Sequence, residues 1–217
     1  MKKTVLFSCL LVTTMGFAQG QEDFNATAPV GWVISNQSSP IGSSAWQQAA
    51  NTNVFAAHQG ATGVEYFFAN FNSTSGTGTI CDFLIAPANV NGTLKFWTRS
   101  TIAQDGVTIY PDRMTVRYSP TGGVNTGTCI NGNYGDFTTE LVTVNAGLVN
   151  QDYPAGYPVN AWTEFSAGIP GTTGRVAFIY DVPNGGPNGS NSNYIGLDSV
   201  SWTGDLIFAN GFEVAVK

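Results

Sequence analysis

The chain has one histidine, His58, among 217 residues, and only 10% of its side chains are charged. That scarcity excludes much. With a single imidazole there is no histidine pair at metal-ligand spacing, and neither an HExxH motif nor a GxSxG nucleophile elbow occurs. His58 lies in an AAHQG segment with no nucleophile motif beside it, so a surface histidine is expected, and hydrolysis would need a Ser-His-Asp set assembled from distant residues. Eight Lys and Arg side chains are too few to build the clustered basic surface that releases phosphate counterions, which excludes nucleic acid as a partner. Apolar runs are short as well. The longest, Thr4 to Val12, is about half of what a bilayer requires, so no membrane span is expected. No long apolar helical face appears either, although Trp46 to Gln59 has room for a short helical turn.

What is present begins with an export leader. Met1, Lys2 and Lys3 precede the apolar run, and Met15 to Ala18 ends on a small residue, so cleavage is expected after Ala18. Cys9 is lost with the leader. Residues 1–18 are read as signal peptide, 19–203 as one domain and 204–217 as a C-terminal tail. Removing Lys2 and Lys3 leaves six basic against fourteen acidic side chains, a net charge of −8. The 26 glycines and 12% aromatic content suit many short strands joined by turns. Two cysteines remain, Cys81 and Cys129, and in an exported chain an even count reads as a disulfide, the alternative being two buried thiols.

Alternation with a period of two recurs along the chain. In RMTVRYS (113–119), Met114, Val116 and Tyr118 alternate with Arg113, Thr115 and Arg117, giving one buried and one wet face. Similar strands are expected at 64–70, 93–100, 175–181 and 194–202, with weaker ones at 31–35, 79–86, 137–144 and 161–166. Together they make an all-β sandwich with one side of each sheet solvated. Turns are expected at 72–78, 119–127, 131–135 and the NGGPNGSNSN stretch, 184–193. Glu65, Glu140 and Glu164 fall in or beside strands; Glu65 and Glu140 alternate with apolar neighbours as outward positions do, so solvated faces are expected rather than acids paired across a glycosidase cleft.

Several segments carry a resemblance: GWVISNQSSPIGSSAW (31–46), FNSTSGTGTICDFLIAP (71–87), YPDRMTVRYS (110–119), GDFTTEL (135–141), the YP…W run (157–162), GRVAFIYDV (174–182) and GPNGSNSNYIGLDSVSW (186–202). In this order they resemble the choice-of-anchor J, or cleaved-adhesin, domains of secreted bacterial proteins. The resemblance implies a jelly-roll β-sandwich of two antiparallel sheets, in an extracellular or cell-surface setting. No anchor helix or sorting tail is expected after Trp202; instead IFANGFE, in the tail, resembles a short terminal motif of exported gammaproteobacterial proteins.

Jelly rolls often join their first and last strands beside a cation. A structural calcium held by Glu22 and Asp198 is therefore expected, since an inward carboxylate next to Phe24 needs a partner; Asp181 and Asn193 are further candidate ligands. The competing readings are a mobile N-terminus for Glu22 and a salt bridge or turn hydrogen bond for Asp198. In PDR (111–113), Pro111 is expected to fix the strand entry and Asp112 to cap a turn. Trp97 alternates with Phe96, so one of the two faces away from the shared core unless another layer covers it; Trp97 and, in the amide-rich loop, Asn191 are the candidate ligand contacts. The expected function is a non-enzymatic module binding an extracellular polymer, glycan or cell-surface protein. The alternatives are a carbohydrate-binding module beside a degradative enzyme, and a small glycan or peptide hydrolase.

Overall fold

A computed structural model describes residues 19–25 and 29–203; the leader at 1–18 and the IFANGFE tail at 204–217 lie outside the described residues. The strands are β1 (Gln19–Glu22), β2 (Val33–Asn36), β3 (Ser39–Ile41), β4 (Gln47–Gln48), β5 (Phe67–Asn70), β6 (Thr74–Ile85), β7 (Gly92–Arg99), β8 (Met114–Ser119), β9 (Thr139–Val144), β10 (Thr163–Ile169), β11 (Arg175–Gly185) and β12 (Tyr194–Thr203). They form two antiparallel sheets. The first runs β10-β7-β12-β5-β4, with β1 on the remaining length of β12; the second runs β2-β6-β11-β8-β9, with β3 also on β6. From β5 onward the chain changes sheet at nearly every step, which is the connectivity of a jelly-roll sandwich.

Alternation explains which side chains meet. Leu94 and Phe96 of β7, Met114, Val116 and Tyr118 of β8, Phe178, Tyr180 and Val182 of β11, and Leu197 and Val200 of β12 all point between the sheets and are buried. Each such side chain contributes about 1.5–3 kcal/mol on removal from water. The expected strands are all present, with two differences. Residues 74–78, expected as turn, are the start of β6, because Thr74 and Thr79 pair with Ile41 and Ser39 of β3 and Gly78 pairs with Gly185; cross-strand partners override a turn-forming sequence. Segment 46–59 is not helical: Gln47–Gln48 joins the sheet edge, and Trp46 is buried with its indole N–H donating to the Asp82 carbonyl at 2.9 Å.

Both outer faces are partly covered. On the second sheet, Cys81 of β6 is disulfide-bonded to Cys129, Cα atoms 5.7 Å apart, and this bond holds a loop whose Phe137 packs on Phe83, Ile85, Ala177 and Ile179. On the first sheet, the segment after β4 lays Phe55 and Tyr66 against Phe68, Trp162 and Tyr194. Gly196 of β12 makes room for it, since Phe55 and Trp162 occupy the space a side chain there would take.

The bond encloses a 48-residue separation. Constraint of the unfolded chain over such a loop is worth about 4 kcal/mol. Cys129→Ser should therefore lower the melting temperature by about 10 °C, with hydrogen exchange rising first across 120–138. A shift below about 2 °C would show that the outer cluster holds this loop without the bond.

Candidate functional site

The first place to look for chemistry is the outer face of the first sheet, where register aligns Glu164, Trp97 and Asp198 across β10, β7 and β12. The covering segment brings His58 there. Its ring stacks on Trp97, centroids 3.9 Å apart and planes 15° from parallel, and its Nδ1 lies 3.1 Å from Ser199 Oγ. His58 is thus half-buried beside a hydroxyl, not on an open surface, and burial lowers its pKa. A serine within reach of a histidine is a start toward nucleophilic catalysis, but among the described residues no carboxylate bonds the His58 ring. Asp198 accepts the backbone N–H of His58 at 2.8 Å and of Gln59 at 3.1 Å on Oδ2, and that of Ser199 at 2.6 Å on Oδ1. It therefore orients the chain, not the imidazole, and these three amides are spent on it instead of on an oxyanion. The same stacking covers one face of Trp97, which a sugar ring would need.

The expected calcium ligands are not brought together. Register places Glu22 opposite Val200, a buried core residue, and Asp198 opposite the outward Trp97. A bulge separates the two: the register shifts between Asp198 and Ser201, with Ser199 at φ +49°. One inserted residue reverses the parity of a strand, so Glu22 and Asp198 point to opposite faces. Glu22 Oε1 instead accepts the Phe24 N–H at 2.7 Å. Asp181, on the second sheet, is paired with Arg113 at 3.0 Å and accepts the Tyr134 hydroxyl at 2.8 Å. Asn193 donates its side-chain amide to the Thr101 carbonyl, and Asn191 donates to that of Pro183. Among the described residues no three His, Cys, Asp or Glu side chains converge as metal ligands. The residues present do not fit a shared cation.

The second place is one end of the sandwich. There the segment between β7 and β8 faces the β11–β12 loop across a groove of about 390 Å³, lined by Phe71, Ala103, Gln104, Tyr110, Gly186, Pro187, Gly189, Ser192 and Asn193. Both walls are fixed. Asp105 accepts the N–H groups of Val107 and Thr108 and the Thr108 hydroxyl, closing a tight turn. In the opposite loop, Asn191 N–H bonds to Asn184 O, Gly189 N–H to Gly186 O, and Ser192 N–H to Pro111 O. Gly186, at φ +101°, adopts a backbone shape that side chains resist. Behind the groove sits Asp112, fully buried, whose Oδ1 accepts the Tyr180 hydroxyl at 2.5 Å and the Asn193 N–H at 2.8 Å, and whose Oδ2 accepts the Ser100 hydroxyl. Asp112 is therefore a long-range tie rather than the local cap its PDR context suggests. The sequence reading found the amide-rich loop but missed Tyr110 and Phe71; the Asp105-Gly106 turn beside an aromatic was the available signal.

Solved structures with the same architecture are adhesin domains. The K3 cleaved adhesin domain of Lys-gingipain from Porphyromonas gingivalis matches with a TM-score of 0.56 and 18% identity, over 87% of this chain and 99% of that one. The K2 domain of Lys-gingipain matches at 0.54 and 19%, over 86% and 99%. A carbohydrate-binding module solved with β-1,4-galactotriose scores 0.42 at 12% identity, over 80% of this chain and 89% of that one, too low to bear on chemistry. The adhesin likeness extends to the fold. No family model matches the sequence, and no curated protein does.

Buried acids give the fold a pH dependence. Burial raises Asp82 to about 8, against the opposing Ser73 hydroxyl and Trp46 backbone N–H, and raises Asp198 to about 6 against its amide donors; Asp112 is raised as well. Among the described residues Asp82 Oδ1 has no partner, as suits a protonated acid. Glu65, mostly buried instead of solvated, goes the other way, held near 2 by Thr62 and Val64. For the raised groups the folded state holds protons that the unfolded chain has released, so their stabilisation is complete below about pH 4. It is lost as pH rises through about 6 and then about 8. Stability should fall between pH 6 and 8 with a slope from Asp82 of about 1.4 kcal/mol per pH unit. Asp82→Asn should make that profile shallower in thermal melts; an identical profile in the variant would contradict the assignment.

Proposed function

We propose that this protein is an exported, non-catalytic adhesion or binding module of the choice-of-anchor J type, working outside the cell through the groove at the end of its sandwich. The observation that carries this reading is the pair of fixed loops around exposed Tyr110. That groove has the size of a small ligand site, whereas His58 and Ser199 have no free oxyanion donors beside them. Walls already held by Asp105 and Asp112 would bind without the cost of ordering loops. Export is supported by the leader grammar of residues 1–18 and by the Cys81–Cys129 bond, which suits an oxidising compartment. The partner is an extracellular polymer, a glycan or a cell-surface protein. Calcium is left out of this reading, because Glu22 and Asp198 face different ways and Asp181 is paired with Arg113.

Tyr110 is 39% exposed, so its removal should leave the fold intact. Fluorescently labelled full-length exported protein should be retained on intact bacterial cells and on a panel of insoluble polysaccharides. Tyr110→Ala should cut that retention at least tenfold with the melting temperature unchanged, while His58→Ala should keep it. Loss of function in His58→Ala and Ser199→Ala but not in Tyr110→Ala would overturn the non-catalytic reading.

A further inference from the structure

The groove lining has a chemical signature of its own. None of its nine residues is charged, in a chain whose formal net charge is −6. The acids beside it stay out of the lining: Asp105 turns its oxygens to the Val107 and Thr108 amides, and Asp112 is buried under its donors. No Lys or Arg lines it. An acidic ligand would meet no cation there and would approach a negatively charged protein, while a cationic ligand would meet no carboxylate in the lining. What the groove offers is apolar surface from Tyr110, Phe71 and Pro187, together with neutral polar groups of both kinds. Asn193 has given its N–H to Thr101, so Oδ1 remains as an acceptor. Ser192 Oγ accepts the Gly186 N–H, which leaves its hydroxyl hydrogen to donate. Gln104 is exposed and presents an amide that does either.

We infer that the groove takes an uncharged sugar chain, one pyranose face lying on Tyr110 and its hydroxyls bonding to Asn193, Ser192 and Gln104. Sugar hydroxyls donate and accept alike, which matches a lining of mixed neutral polarity, and a pyranose has an apolar face that an aromatic ring covers with little entropy loss. A wholly apolar ligand would leave those polar groups unpaired, at a cost for each. The inference rests on the groove being the binding site, as proposed above, and names the ligand class for it.

Affinity electrophoresis of the full exported protein tests it, with hydroxyethylcellulose, galactomannan and mixed-linkage β-glucan as neutral probes, polygalacturonate and alginate as acidic ones, and gelatin as a polypeptide. At least one neutral polysaccharide should retard the wild type, with retardation unchanged between 50 and about 500 mM salt and weakened at least tenfold by Tyr110→Ala. Retardation only by the acidic polymers or only by gelatin, lost in Tyr110→Ala, would overturn the neutral-sugar assignment while leaving the groove as the site. Retardation by a neutral polysaccharide that Tyr110→Ala does not change would overturn both.

Discussion

The carboxylate of Asp112 is the constraint on which the grooved end of the sandwich depends. It is fully buried between the sheets' ends and takes hydrogen bonds from Ser100 after β7, Tyr180 within β11 and Asn193 just before β12. Three stretches of chain far apart in sequence therefore meet at one acid. A buried carboxylate is tolerated only with donors on its oxygens, and once those donors are in place each stretch is held against the others. The backbone of Asp112 extends the tie by accepting the Asn145 side-chain amide at 2.8 Å. The groove walls are the loops that leave this junction.

The two ends of β12 show how the same kind of acid serves two purposes. Asn193, at its start, reaches Asp112 and sets the open groove. Asp198, farther along, is just as buried but collects the His58, Gln59 and Ser199 amides, and so fastens the segment that closes the outer face. One acid holds a site open and the other holds a face shut. Aromatics follow the same division. Phe55, under the guanidinium of Arg99 at 4.3 Å, and Trp97, under His58, are covered, while Tyr110 is left to solvent. Among the described residues Glu65, Asp105, Asp112, Asp152 and Asp198 all accept backbone N–H groups and so organise loops.

Much of the sandwich was legible in periodicity. The alternation of Met114, Val116 and Tyr118 reports a strand because the inward positions are large and apolar, and Cys81 and Cys129, the two cysteines read as a disulfide, are bonded. What periodicity does not carry is parity across an irregularity. Ser199 looks like any other residue of YIGLDSV, yet the bulge there sends Asp198 and Val200 to opposite faces and dissolves the expected pairing of Asp198 with Glu22. Likewise Asp112 reads locally as a turn cap, and its real partners lie 12, 68 and 81 residues away. Such partners are set by sheet order, which one sequence does not reveal. The groove was half visible: the amide-rich loop announced itself, but Tyr110 gained meaning only once the opposite wall stood beside it.

Hydrogen exchange of Asp112→Asn against the wild type tests the central claim most directly, because the amide keeps the shape of the acid while replacing an acceptor oxygen with a donor. Exchange should rise in residues 101–110 and 184–193 together, with the β6 and β7 interiors still protected. If both loops keep wild-type protection, or if the whole sandwich opens uniformly, Asp112 is not what holds the groove.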